Sequence, residues 1–191
     1  MQEVGTAIME HLSFPKFPRI PRLSRECIVT EKIDGTNGLI LVPESAAAPV
    51  QAGSRNRWLE PGKQDNFGFA GWVALHAEEL RELGPGLHYG EWWGVGIGRG
   101  YDIFERRFSL FNVSRWTDDA VRPKCCHVVP IIQTIPRLDC SDFEGSIAIL
   151  REHGSLAAPG FMHPEGIVVF HMQGRVLFKK TLENDEKGKE E

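Results

Sequence analysis

No apolar run in the 191-residue sequence approaches the ~20 residues needed to cross a bilayer, so a helical membrane span is excluded. Met1 to Leu12 holds no basic stretch followed by an apolar core, so no secretory leader is expected and the cytoplasm is the expected compartment. The four cysteines, Cys27, Cys125, Cys126 and Cys140, show no CxxC spacing. His127 follows two of them without a second ligand pair, so reduced thiols are expected rather than a disulfide framework or a zinc site. An excess of positive charge is missing too. The net charge of −4 argues against a protein that grips nucleic acid through bulk positive charge. No internal repeat and no βαβ alternation appear. The glycines at 94, 96, 98 and 100 lack the strand-before, helix-after context of a dinucleotide-binding loop.

What is present describes one globular domain of ordinary size, with 41% hydrophobic and 25% charged residues. From Glu183 to Glu191 five acids face two lysines, which makes 183–191 a charged, fraying tail and leaves the body, 1–182, nearly neutral. Within that body basic residues gather at Lys16, Arg19, Arg22 and Arg25, at Arg55 and Arg57, and at Arg99, Arg106 and Arg107. Each group is either a solvated face or the wall of a locally positive groove.

The pattern predicts more strands than helices. Phe14 to Pro21 alternates proline with other residues, which favours an extended lead-in. Cys27 to Thr30 and Leu39 to Val42 read as strands, and Asp34-Gly35 between them as a hairpin turn. Asp65 is placed to cap a helix from about 66 to 83, with Phe69, Trp72, Val73, Leu80 and Leu83 facing the core. Strands are expected over 87–93, 108–113 and 128–135. A capping box at Ser141 and Glu144 opens a helix through about His153, with Ile147 and Leu150 inward. A last strand pair, 165–172 and 174–182, turns at Gln173-Gly174. The fold class is α+β with mainly antiparallel sheets.

Lys32 is the residue around which the chemistry gathers. A lysine near a turn is ordinarily just solvated, and at a free pKa of ~10.4 it is a poor nucleophile. Nearby cations change that, and Lys179 and Lys180 are candidates to supply them and to hold a phosphate under attack. Asp34 and Glu165 are hard oxygen groups suited to Mg²⁺. Glu91, in the middle of an aromatic strand, needs a partner such as an arginine or a ligand hydroxyl. Phe111 offers a face for a purine. Gly53 to Arg57 is either an exposed turn or a contact to phosphate or ribose through its arginines.

In this order the segments resemble the covalent nucleotidyltransferase superfamily, and within it the ATP-dependent RNA ligases of phage type. Glu31-Lys32-Ile33-Asp34-Gly35 looks like the KxDG nucleophile motif, Ser54-Arg55 the arginine motif, and Gly90-Glu91 the third motif. Phe108 to Val113 with Phe111 looks like the aromatic motif, Glu165-Gly166-Ile167-Val168 like EGxV, and Phe178-Lys179-Lys180 like the fifth. The resemblance implies an ATP-grasp-like nucleotidyltransferase domain of two mainly antiparallel sheets with flanking helices, ATP lying in the cleft between them. It also implies that Lys32 takes AMP from ATP, passes it to an RNA 5′-phosphate, and that a 3′-hydroxyl displaces it. By the same resemblance Glu31, Lys32, Ile33, Arg55, Glu91, Phe111, Glu165 and Lys179 hold the nucleotide. Asp34 and Glu165 hold Mg²⁺ or Mn²⁺, and Asn37, Arg57 and Arg99 meet the RNA.

Two departures stand against the family pattern. The fifth motif is usually KxK, whereas Lys179-Lys180 is followed by Thr181, so one lysine, by preference Lys179, is expected to face the pocket. The sequence ends just after that motif, so a protein partner in place of a further domain is one expectation. Two other readings stay open: an enzyme that adenylates nucleic-acid ends, DNA included, without sealing them, and a non-catalytic nucleotide- or RNA-end-binding module.

Overall fold

A computed structural model describes residues 17–62, 65–139, 142–183 and 185. Residues 14–16 of the expected lead-in, Cys140, the capping Ser141 and most of the acidic tail lie outside the described residues. Residues 17–20 are exposed and without regular structure. Among the described residues no helix is long and apolar enough to cross a membrane.

Two sheets make the fold. The four-stranded sheet has the order β10-β9-β1-β8, built from β1 (Cys27–Lys32), β8 (Ile131–Ile135), β9 (Gly166–His171) and β10 (Val176–Thr181), all antiparallel. The six-stranded sheet has the order β4-β3-β2-β5-β6-β7. Its strands are β2 (Thr36–Val42), β3 (Gln51–Gly53), β4 (Trp58–Leu59), β5 (Gly86–Gly94), β6 (Arg106–Leu110) and β7 (Cys126–Val128). Among the described residues only the β6–β7 pair is parallel.

Period-2 alternation divides each sheet into a core face and a cleft face. In β1, Cys27 and Val29 are fully buried and pack with Ile135, Ile167, Val169 and the inward residues Ile147 and Leu150 of α4 (Asp142–His153). Ile28, Thr30 and Lys32 face the other way, into the cleft. The six-stranded sheet packs its inner face on α1 (Phe69–Leu75) and α2 (Ala77–Leu80), where Phe69, Val73, Leu80, Trp92, Phe108 and Leu110 form the larger core.

Between the sheets, the expected hairpin at Asp34-Gly35 does not form. β1 pairs with β8 and β9, and β2 pairs with β3 and β5, so 33–35 carries the chain from one sheet to the other. Gly35 permits the crossing: a Cβ there would stand 2.5 Å from the Trp92 carbonyl and 2.8 Å from Trp93 Cβ. The reading of 128–135 as one strand fails for the same reason, since Val129-Pro130 is a second crossing. The two crossings run side by side, with the Glu31 N–H donating to the Pro130 carbonyl at 3.0 Å. Ile33, Trp93, Tyr101, Val113, Val129 and Phe161 seal the space around them.

Other boundaries shift for local reasons. The helix expected over 66–83 breaks at His76 into α1 and α2 and ends in a 3₁₀ turn, Arg81–Leu83. Asp65 does cap it, accepting from the Gly71 N–H at 2.9 Å, although Gly68 holds the cap position itself. The strand from 108 stops at Leu110, and Val113 opens a single helical turn, α3 (Val113–Trp116).

Gly38 and Gly90 are cross-strand partners, and a Cβ on either would meet the Phe108 ring at 2.7 or 2.6 Å. At Gly90 the Ser109 carbonyl is closer still, at 2.5 Å, and belongs to a paired strand that cannot shift freely. Gly90→Ala should therefore lower unfolding stability by about 1–3 kcal/mol. Urea titration checks this, and an unchanged midpoint would contradict it.

Candidate active site

The cleft between the sheets has a volume of about 2000 Å³, and its floor is the first crossing. Lys32, the last residue of β1, projects into it beside β9, because Lys32 lies opposite Gly166 in the pairing register. That register brings Glu165 alongside, and Lys32 Nζ donates to Glu165 Oε2 at 2.5 Å. Both side chains are largely enclosed, with 21% and 9% exposure, so solvent screens this pair less than a surface one.

Glu31, one residue earlier, lies at the cleft wall with its carboxylate bonded to the loop after α4. Its buried carboxylate accepts from Ser155 Oγ at 2.6 Å and from the N–H groups of Leu156 and Ala157 at 2.8 and 2.9 Å. Burial pushes its pKa above the ordinary carboxylate value while these three bonds oppose the rise. The side chain expected to hold nucleotide is thus committed to clamping the loop after α4. Ile33 is likewise a buried packing residue of the crossing.

Asp34 lines the cleft and is fixed from behind. Its N–H donates to Tyr101 Oη at 2.7 Å, and Arg99 Nε lies 3.6 Å from its Oδ2. The glycine run at 94–100, which matches no nucleotide motif, wraps this residue: Gly98 has φ +51°, and a Cβ on it would stand 2.7 Å from the Asp34 carbonyl. Arg99 also donates to the His163 carbonyl at 3.1 Å and does not line the cleft. Arg99, expected to meet RNA, is thus placed beside Asp34 and the 163 loop.

On the opposing sheet Asn37 and Glu91 are cross-strand partners on the cleft face, and Arg55 Nε donates to Asn37 Oδ1 at 3.2 Å. Arg57 lines the cleft on the same turn. Phe111, 41% exposed, shows its ring to the cleft just after β6, and its N–H donates to the Tyr89 carbonyl at 2.9 Å. Tyr89 is a cleft residue that motif reading missed, although its period-2 spacing from Glu91 in a strand marks it. Arg115 was missed too, since it arrives on a helical turn just beyond the strand expected over 108–113.

The two lysines of the last strand separate as alternation requires. Lys179 lies opposite Val168 and lines the cleft with it. Lys180 lies opposite the core residue Ile167 and pairs with Glu144 of α4 at 3.4 Å. Lys180, for which a catalytic role was expected, has its ammonium on the other face of the sheet.

Three carboxylates, Asp34, Glu91 and Glu165, thus gather around Lys32. Glu91 responds to them. Burial pushes its carboxyl up to about 7, Lys32 pulls it back, and Glu165 and Asp34 add to the rise. A half-enclosed site with spare negative charge on hard oxygens fits a divalent cation of the Mg²⁺ or Mn²⁺ kind.

The family model for RNA ligase matches residues 25–181. Solved structures of Naegleria gruberi RNA ligase share the fold. The structure with PPi aligns at TM-score 0.58 and 19% identity over 83% of this chain and 50% of that one. A lysine-to-alanine variant with ATP and Mn aligns at 0.57 and 18%, over 83% and 50%. A lysine-to-methionine variant with AMP and Mn aligns at 0.55 and 17%, again over 83% and 50%. The chain thus spans about half the length of the structures it matches. Among proteins of curated function, none matches it.

The raised Glu91 pKa has a signed consequence. A carboxyl whose folded value lies above its ordinary 4.5 contributes fully below that value and loses its contribution as pH rises through about 7. Between pH 5 and pH 8 the protein should therefore lose on the order of 2–3 kcal/mol relative to Glu91→Gln. Urea unfolding of both at the two pH values measures it, and a pH-independent difference would count against this electrostatic picture.

Proposed function

Because the chain belongs to the RNA ligase family, we propose that it is an ATP-dependent polynucleotide (RNA) ligase in which Lys32 carries AMP as a covalent intermediate. The observation that supports this most is the setting of Lys32: an enclosed ammonium at a sheet crossing, 2.5 Å from Glu165, with Lys179 on the same cleft face. A lysine needed only for solubility has no reason to be held there.

The first step is attack of Lys32 Nζ on the α-phosphorus of ATP. Nζ sheds a proton before its lone pair is free, and Glu165 Oε2 is the acceptor in reach. The N–P bond forms as the bond from the α-phosphorus to the oxygen bridging it to the β-phosphate breaks, and pyrophosphate leaves with that electron pair. Lys179 stabilises charge on the non-bridging oxygens, as a preorganised cation does. Asp34 and Glu165 would hold a divalent cation, Mg²⁺ or Mn²⁺, which would supply neutralisation of phosphate charge. The similar structures contain ATP, AMP and PPi, the substrate of such a step and the two parts into which it divides.

Recognition falls to the opposing wall. Glu91 accepts from ribose hydroxyls, Arg55 is oriented by Asn37 towards ribose or phosphate, and Phe111 stacks on adenine. In the later steps AMP passes to a 5′-phosphate of RNA and a 3′-hydroxyl displaces it, with Asn37 and Arg57 towards the RNA.

Incubation with ATP labelled at the α-phosphate and Mg²⁺, followed by denaturing electrophoresis, tests the assignment. Label should stay on the wild-type protein, vanish in Lys32→Ala, and fall by about 10²-fold or more in its rate of appearance in Lys179→Ala. Lys180→Ala should remain close to wild type. Label retained by Lys32→Ala, or lost in Lys180→Ala while Lys179→Ala is intact, would overturn it. Sealing of nicked RNA by the labelled protein then separates a ligase from an end-adenylating enzyme.

A further inference from the structure

Outside the cleft, the six-stranded sheet carries a second cluster of reactive side chains that nucleotide chemistry does not use. α1 stops at His76, whose backbone sits at φ −99°, ψ 15°, and α2 begins at the next residue. The break places His76 and Glu79 on one side of the helix pair, with His76 Nδ1 3.5 Å from Glu79 Oε2. Trp72 lies against the imidazole at 5.0 Å between ring centres and limits its rotation. Across from them stands Cys125, immediately before β7.

The three residues converge: His76, Glu79 and Cys125 each offer a ligand atom, and these atoms all lie within 4.8 Å of one another. The carboxylate is already oriented for the purpose. Glu79 Oε1 accepts the Cys125 N–H at 2.6 Å, which leaves Oε2 turned towards the imidazole. A backbone donor on one oxygen of a ligating carboxylate is the support such ligands ordinarily receive. A second sulfur, Cys126 Sγ, stands 3.9 Å from Cys125 Sγ. Tetrahedral zinc, with bonds of about 2.0–2.3 Å, sets its ligand atoms about 3.3–3.8 Å apart. The His76–Glu79 spacing of 3.5 Å matches an edge of such a tetrahedron, and side-chain rotation would draw Cys125 Sγ, within 4.8 Å of both, onto it.

We infer that His76, Glu79 and Cys125 form a binding site for a zinc-class divalent ion, separate from the cleft, that ties the helix break to the start of β7. Imidazole, thiolate and carboxylate together select a borderline-soft ion rather than Mg²⁺. On binding, the Cys125 thiol loses its proton to solvent and the sulfur takes the metal in its place. The bond would join segments 46 residues apart in sequence and stabilise the folded chain in proportion to metal affinity. His127, the neighbour that the sequence offered first, lies outside this group. The inference does not depend on the ligase reading.

The test uses the full chain, purified without a metal-binding tag and stripped with a chelator. Zn²⁺ is titrated in competition with a chromogenic chelator, and Co²⁺ is then bound and its absorption recorded. The site predicts one strongly held zinc per chain and a cobalt spectrum with sulfur-to-metal charge transfer, which the all-oxygen carboxylates of the cleft cannot give. His76→Ala and Cys125→Ser should each weaken zinc binding by about tenfold or more, and His127→Ala and Asp34→Ala should leave it unchanged. Circular dichroism establishes that each variant is folded. The cobalt spectrum of the unmutated chain decides the matter even if a variant is not. No retained zinc, a cobalt spectrum without a sulfur band, or equal affinity in folded Cys125→Ser would overturn the inference.

Discussion

The passage of the chain from one sheet to the other between Lys32 and Thr36 is the constraint on which the rest depends. Four consecutive residues there have four different obligations. Glu31 is anchored in the core by Ser155, Leu156 and Ala157. Lys32 is turned into the cleft by strand alternation, Ile33 is packed into the seam, and Asp34 is held by Tyr101 and Arg99. Gly35 then lets the backbone pass where any side chain would strike Trp92 and Trp93. The proposed role of Lys32 needs a lysine that cannot wander, and its position follows from two sheets and a buried carboxylate.

Charge balance is the second organising fact. Lys32 sits among Glu165, Asp34 and Glu91, while Lys179 closes the same face from β10, two strands away. Burial, with Glu165 and Asp34 adding to it, pushes the Glu91 carboxyl up to about 7. A triphosphate with its cation would enter a site that already has the groups for both. Lys180, by contrast, does ordinary work on the outer face with Glu144.

Much of this was legible in the sequence, because motifs of one or two residues on strands obey period 2. The separation of Lys179 from Lys180 follows from that rule, and so do the inward faces of β1, β9 and α4. The crossing was not legible. Asp34-Gly35 between two β-branched runs has the composition of a hairpin turn, and local composition cannot say that the two strands join different sheets. The partners of Glu31 and Arg99 were not legible for a related reason. Each partner, the 155–157 loop and Asp34, comes from a segment more than 60 residues away, and a charged residue next to a motif looks functional until its partner is known. The cluster of His76, Glu79 and Cys125 is invisible to spacing rules because it joins a helix break to a strand start.

The central claim is that Lys32, fixed at the crossing, is the residue that takes AMP. The most direct measurement is peptide mass spectrometry of the folded protein after incubation with ATP and Mg²⁺, with fragmentation to locate the adduct. An acid-labile AMP adduct on Lys32, and on no other lysine, is the predicted result. An adduct on Lys179 or Lys180, or none in protein that binds ATP, would contradict it.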